Sequence, residues 1–251
     1  MTNDGRAIAI ENLSFSYGDR LVLDRVDLTV SSNEFCWIVG PNGGGKTTLL
    51  KLILGLLAPS VGKVQLFGQA PKTVRERIGY MPQHVSLDQR FPVTVMDVVL
   101  MGRLGGKGWR GRHGRADQRA AERAIEQVGL SEQSQLLFSE LSGGQQRRMF
   151  IARALVCQPD LLILDEPTAN IDQVLQREFY KLLERLRGSL TVVMVSHDPA
   201  FVSRFVKHVV CVNRTVEIHP TGEVSAEKMG EWYRGRDLRI VRHDRHYEVG
   251  D

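Results

Sequence analysis

Gly40-Pro41-Asn42-Gly43-Gly44-Gly45-Lys46-Thr47 decides how this chain is read. It matches the pattern G-x-x-x-x-G-K-[ST], in which glycines let successive backbone N–H groups turn inward around phosphate oxygens. Just before it, Phe35 to Val39 is a short apolar run that reads as a buried strand. After it a helix is expected from Lys46 to Leu57, stopped by Pro59, with its positive N-terminal end aimed at the same anion. Strand, loop and helix in that order separate the motif from a plain glycine-rich turn. Lys46 then supplies a charge to the β- and γ-phosphates of a nucleoside triphosphate, and Thr47 offers its hydroxyl to Mg²⁺. Gly40 through Thr48 are the candidate phosphate-binding set.

Working outward, Leu161-Leu162-Ile163-Leu164-Asp165-Glu166 is an apolar strand that ends in two acids. Buried on both faces, such a strand delivers its acids at the carboxyl end, where α/β sheets bind ligands. Many strands end in acids that merely cap the next helix. Beside a phosphate loop, Asp165 reads as a Mg²⁺ holder acting through water, and Glu166 as the general base for an attacking water.

The rest of the chain alternates strand and helix. Ala7 to Leu13 and Leu21 to Val30 alternate around turn chemistry at Tyr17-Gly18-Asp19. Val64 to Phe67 and Ile78 to Met81 are further short strands, and Thr191 to Val195 is another buried one. Between about residues 84 and 158 the texture turns helical. Thr94 can cap a helix carrying Val95, Val98, Val99 and Met101, Ala116 to Val128 is periodic, and a third helix opens after Ser142 and runs to about Cys157. Gln173 to Arg187 is amphipathic. These elements predict an α/β fold: a mostly parallel core sheet with helices on both faces, N-terminal antiparallel strands and a helical insertion at about 84–158. The domain is expected over residues 1–220, with a mixed-charge tail over 221–251.

Composition narrows the class. The chain has 251 residues, 42% of them apolar and 25% charged, with a net charge of +4. That balance gives no sign of nucleic-acid binding. Arg103, Lys107, Arg110, Arg112, Arg115 and Arg119 cluster locally, as a solvated helix and loop face or as a patch for anionic headgroups or an acidic partner. Cys36, Cys157 and Cys211 lack metal-ligand spacing and read as buried free thiols. No apolar run approaches the ~20 residues that span a bilayer, and the N-terminus has no apolar signal region. A soluble protein is expected, reaching any membrane through a partner.

Leu141-Ser142-Gly143-Gly144-Gln145 is a second phosphate reader: Ser142 caps a helix, the glycines expose backbone N–H groups, and the helix dipole favours an anion. With this pentapeptide about twenty residues before the two-acid strand, the chain resembles the ATP-binding-cassette ATPases from residue 7 to about 218. The resemblance implies two subunits paired head to tail. Each ATP lies between one subunit's phosphate loop and the other's Ser142–Gln145 segment. It further implies that Tyr17 stacks on adenine and that Gln83, in Tyr80-Met81-Pro82-Gln83, contacts Mg²⁺ and the attacking water. Asp172, in Ala169-Asn170-Ile171-Asp172, would cross the dimer interface, and His197 would meet the γ-phosphate.

Asp88 to Arg103 offers either an apolar groove for a short helix of another chain or the internal packing of the helical insertion. With the Gly43-Gly44-Gly45 loop and Glu166-Pro167-Thr168-Ala169-Asn170, it resembles the ATPases of zinc and manganese importers; iron-chelate importers share parts of the pattern. The implied role is an ATP-hydrolysing subunit on the cytoplasmic face of the cell membrane. It would be held there by integral-membrane permease subunits, served indirectly by an extracytoplasmic substrate-binding protein, and dimerised with a second copy. A soluble, non-transport ATPase of the same family is the alternative. His243, Asp244 and His246 in the tail fit no standard metal spacing and read as a solvated segment.

Overall fold

The computed structural model describes residues 5–83, 87–88, 90–104, 112–168, 173–196, 206 and 208–220. Three strands form an antiparallel sheet in the order β2-β1-β4: β1 (Arg6–Tyr17), β2 (Arg20–Ser31) and β4 (Val61–Leu66). A second sheet of six strands runs β5-β6-β7-β3-β8-β9. Its members are β3 (Phe35–Val39), β5 (Ile78–Met81), β6 (Leu161–Asp165), β7 (Thr191–Val195), β8 (His208–Asn213) and β9 (Thr215–Pro220). All its pairings are parallel except β8 with β9. The expected mixed α/β architecture, antiparallel at the N-terminus and parallel in the core, is what forms.

The six-stranded sheet divides two hydrophobic cores, and side-chain alternation sorts residues between them. On β3, Phe35, Trp37 and Val39 face one core while Cys36 and Ile38 face the other. On β6, Leu162 and Leu164 face the first and Leu161 and Ile163 the second; β7 and β8 split in the same way. The first core is closed by α2 (Val95–Met101), α3 (Arg115–Gln127), α4 (Gly143–Leu155) and α5 (Gln173–Leu186). The second is closed by α1 (Lys46–Ile53) together with the antiparallel sheet. Helices thus lie on both faces, but one face is shared with strands.

Several boundaries differ from expectation for local reasons. Helix α1 ends at Ile53, not Leu57. Gly55 adopts φ +65°, its N–H bonds the Leu52 carbonyl, and the Leu56 N–H reaches back to Lys51, which closes the helix as a Schellman cap. The leucines beyond it continue the apolar pattern without continuing the helix. Strands β8 and β9 were not anticipated. Val209 to Val212 is a buried β-branched and thiol run, turned back at Asn213-Arg214, where Arg214 takes φ 62°. Cys36 and Cys211 are buried free thiols, each pushed up to about 12, chiefly by burial. Cys157 is only half-buried, with its thiol 2.9 Å from the Gly102 carbonyl oxygen. No helix among the described residues is long and apolar enough to cross a membrane.

The anticipated cap of α2 is a full capping box. The Asp97 N–H donates to Thr94 Oγ1 at 3.1 Å and the Thr94 N–H donates to Asp97 Oδ2 at 2.9 Å. Replacing Thr94 with Ala should cost about 1 kcal/mol of stability, and Thr94→Ser much less. Urea unfolding of the two variants checks this; equal midpoints would refute the cap's contribution.

Candidate functional site

The parallel sheet brings three strand ends to one level. Ile38 on β3 pairs with Val195 on β7, and Asp165 on β6 pairs with the same Val195. The Glu166 N–H then donates to the Val195 carbonyl at 2.9 Å, and Glu166 sits at φ 49°. Both acids are buried, at 4% exposure for Asp165 and 7% for Glu166. They open into a cavity of about 330 Å³, lined by Gln83, Thr47, Lys46, Asp165 and Glu166 and also by Tyr17, Arg20 and Val22.

The phosphate loop enters this cavity unevenly. Asn42, Gly43, Gly45, Lys46, Thr47 and Thr48 line it. Gly40 and Gly44 instead form the back of the loop, against β8. A Cβ on Gly40 would stand 2.1 Å from the Val212 carbonyl oxygen, and one on Gly44 2.7 Å from it. The Arg214 N–H donates to the Gly44 carbonyl at 3.0 Å, and the Asp24 N–H to the Arg214 carbonyl at 2.8 Å. The unanticipated β8–β9 turn therefore braces the loop from behind. Pro41 does not line the cavity, but its carbonyl accepts from Gly44 N–H at 3.1 Å.

Lys46 crosses the loop, its ammonium donating to the carbonyls of Gly40 at 2.8 Å and Pro41 at 3.0 Å. Burial pushes its pKa down, while the Glu166 and Asp165 carboxylates push it back up. The cation and both acids thus share one electrostatic environment. Tyr80 on β5 feels it too, its phenol pushed up to about 12 by burial and by Asp165. Helix α1 starts at Gly45 with no side-chain cap. Its first N–H groups therefore face the loop without a protein side chain accepting from them.

Tyr17 lines the cavity, 48% exposed, and the buried Phe15 ring meets it edge-on at 4.9 Å between centroids. A supported ring with an open face suits a flat heterocycle. Arg20 and Val22 line the cavity as well, and sequence reading passed over both: an Arg and a Val opening an alternating strand carry no signal by themselves.

The Ser142–Gln145 segment does not line this cavity. Ser142 does cap α4: its Oγ accepts the Gln145 N–H at 3.3 Å, and its own N–H donates to Gln145 Oε1 at 2.8 Å. Gly143 is exposed. Gly144 is buried against α5, where a Cβ would stand 2.7 Å from Leu175 Cδ2, so its bareness serves packing. Just over one turn in, Arg147 donates to the Pro167 carbonyl, directly after Glu166, and Arg148 pairs with Glu178 of α5 at 3.5 Å. Neither arginine carried a sequence signal. Asp172 and His197 lie outside the described residues, as do the tail residues His243, Asp244 and His246. As for Asp88 to Arg103, Val93, Val95, Val98, Val99 and Leu100 pack inward, so these side chains do not form an open groove; Phe91 is 60% exposed beside the Asp88–Arg90 ion pair at 2.9 Å.

A sheet-end cavity that joins a phosphate loop to two buried acids defines a nucleotide-binding ATPase. The chain belongs to the ABC transporter family, whose model matches residues 23–169. Among its relatives, the zinc transport system ATP-binding protein TroB of Treponema pallidum is 41% identical over 208 residues, covering 82% of this chain and 78% of TroB. The manganese transport system ATP-binding protein MntB of Bacillus subtilis is 37% identical over 232 residues, covering 91% of this chain and 93% of MntB. A solved metal-chelate type ABC transporter in an inward-facing conformation superposes with a TM-score of 0.80 at 29% identity, covering 91% of this chain and 88% of the other.

Gly44→Ala should abolish nucleotide binding by forcing the loop off the Val212 carbonyl. Gly43→Ala, which meets no neighbouring atom but must hold φ +80°, should weaken binding less. Calorimetric titration with MgATP checks the order; equal losses would refute the bracing role of β8.

Proposed function

We propose that this chain is the ATP-hydrolysing subunit of an importer for a divalent metal ion, zinc or manganese. The observation that carries the ATPase half is the convergence of Lys46, Thr47, Gln83, Asp165 and Glu166 on one cavity at the sheet's carboxyl end. The metal half rests on the relatives, whose zinc and manganese systems match most of this chain. A metal chelate is the second reading, supported by the metal-chelate type transporter among the structural neighbours.

In the proposed reaction, adenine stacks on Tyr17, and the loop from Gly40 to Thr48 wraps the phosphates with its N–H groups. Thr47, Gln83 and Asp165 present hydroxyl, amide and carboxylate oxygens to the same space, the hard donors that suit Mg²⁺. When bound there, that ion neutralises charge on the β- and γ-phosphates. Glu166 accepts a proton from the water attacking the γ-phosphorus. Its backbone, pinned to Val195, fixes where that carboxylate stands. Gln83 orients the water, and His197 adds a further contact at the γ-phosphate.

The second half of each site comes from another copy. Ser142, Gly143, Gly144 and Gln145 reach the partner's γ-phosphate, Asp172 crosses the interface, and the γ-phosphate shared between two subunits closes the dimer until hydrolysis removes it. That segment lies away from its own chain's cavity, in keeping with action in trans. The closed dimer drives integral-membrane permease subunits from the cytoplasmic face, and a substrate-binding protein on the other side delivers the ion to them. Residues 1–220 constitute the ATPase domain, with the helical segment of about 84–158 inserted in it and 221–251 as a tail.

Glu166→Gln should bind MgATP and accumulate as a dimer while turnover falls by at least a hundredfold. Light scattering and phosphate release read the two effects, and wild-type turnover would sink the assignment. Lys46→Ala should lose nucleotide affinity. For the cargo, metal-starved cells carrying Glu166→Gln in place of the native chain should lose zinc or manganese selectively. A fall in iron alone would move the reading to a chelate, and no change in any of the three would overturn metal import.

A further inference from the structure

We infer that Arg20 is a nucleotide-binding residue that grips the α-phosphate, a role resting on the ATP reading of this cavity. Arg20 opens β2 directly across the Gly18-Asp19 turn from Tyr17, its register partner. Both residues line the cavity, with Val22 two positions further along the same strand. Arg20 is exposed and makes no side-chain hydrogen bond, ion pair or ring contact among the described residues. Other arginines of this molecule are occupied: Arg77 by Asp160, Arg90 by Asp88, Arg103 by Asp117 and Arg148 by Glu178.

The charge layout says what Arg20 awaits. The cavity's two carboxylates, Asp165 and Glu166, act on Lys46. Among the lining residues these are the only acids. Arg20 has no ion-pair partner among the described residues, so a seated ligand supplies its counter-charge. With the base on Tyr17 and the terminal phosphates at Lys46 and Thr47, the phosphate nearest the base is the α-phosphate, and Arg20 stands beside Tyr17 across the hairpin. A guanidinium suits that phosphate better than an ammonium would, because its forked N–H donors meet two phosphate oxygens at once.

The α-phosphate is unchanged by hydrolysis of the β–γ bond. Its grip therefore strengthens ground state, transition state and ADP product alike, and governs affinity without governing the chemical step. This separates Arg20 from Lys46, Glu166 and Gln83, whose contacts change as the γ-phosphoryl leaves.

The test compares wild type, Arg20→Ala and Arg20→Lys by calorimetric titration with MgATP and with MgADP, at low and at high salt, and by steady-state ATP hydrolysis. Loss of a charge-assisted contact should raise Kd for both nucleotides about tenfold in Arg20→Ala and raise KM in step, with kcat held. Arg20→Lys should recover part of the affinity, and the deficit should shrink as salt screens the ion pair. Unchanged Kd values, a loss confined to MgATP, or a fall in kcat with KM intact would each overturn the role. Failure of the wild-type chain itself to bind MgATP would instead sink the ATP reading, so the two failures are distinct.

Discussion

The site depends on a register. Parallel pairing places Ile38, Val195 and Asp165 side by side across β3, β7 and β6, so the loop after β3 and the acids after β6 emerge at one height. It is carried by backbone hydrogen bonds between strands whose residues are all buried. A strand buried on both faces has no solvent side to which it can slip cheaply. The Glu166 N–H extends the same ladder one residue past the strand, by bonding the Val195 carbonyl. The backbone of Glu166 is thereby positioned by main chain.

The second constraint is the close approach of the phosphate loop to β8. Two glycines lie against one carbonyl, that of Val212, and the next turn of the chain bonds the loop through Arg214. Of the glycines in Gly43-Gly44-Gly45, the outer two line the cavity while the middle one packs against Val212, and Gly45 also abuts Leu23, 2.8 Å from where its Cβ would stand. The motif is therefore shaped from two sides. The same division holds in Leu141–Gln145, where Gly143 is exposed while Gly144 touches Leu175. Arg147 and the Arg148–Glu178 pair then tie α4 to the segment that follows Glu166 and to α5. Under the proposed dimer, the helix that reads the partner's nucleotide is bonded to the strand exit that serves its own. A shift at either is felt at the other without any long relay.

Much of this was legible because buried strands are short apolar runs and the motifs interrupt them. Strands β3, β6 and β7, the cap at Thr94 and the start of α4 at Ser142 stand where those signals put them. What was not legible depends on residues distant in sequence. Leucines after Ile53 kept the apolar pattern alive, and only the left-handed Gly55 ended the helix. Burial of Gly144 requires Leu175, and the bracing of Gly44 requires Arg214. Arg20 is an ordinary strand residue until the Tyr17 hairpin and the phosphate loop face one space.

The two cores explain why the register is hard to lose. Trp37 and Ile38 are adjacent, yet they belong to opposite cores, one closed by α2 to α5 and the other by α1 and the antiparallel sheet. A slip of one residue along β3 would exchange them, driving an indole into space shaped for Ile38 and Cys36 and leaving a void beside Met194 and Val209. The same slip would carry Gly40 off Val212 and lift Lys46 away from the level of Asp165. Packing far from the ligand and geometry at the ligand are thus penalised by the same displacement. Helices α2 to α5 on one face, and α1 with the antiparallel sheet on the other, give the sheet two unlike neighbours, so the alternation of β3 admits one seating. That seating is the one that assembles the cavity.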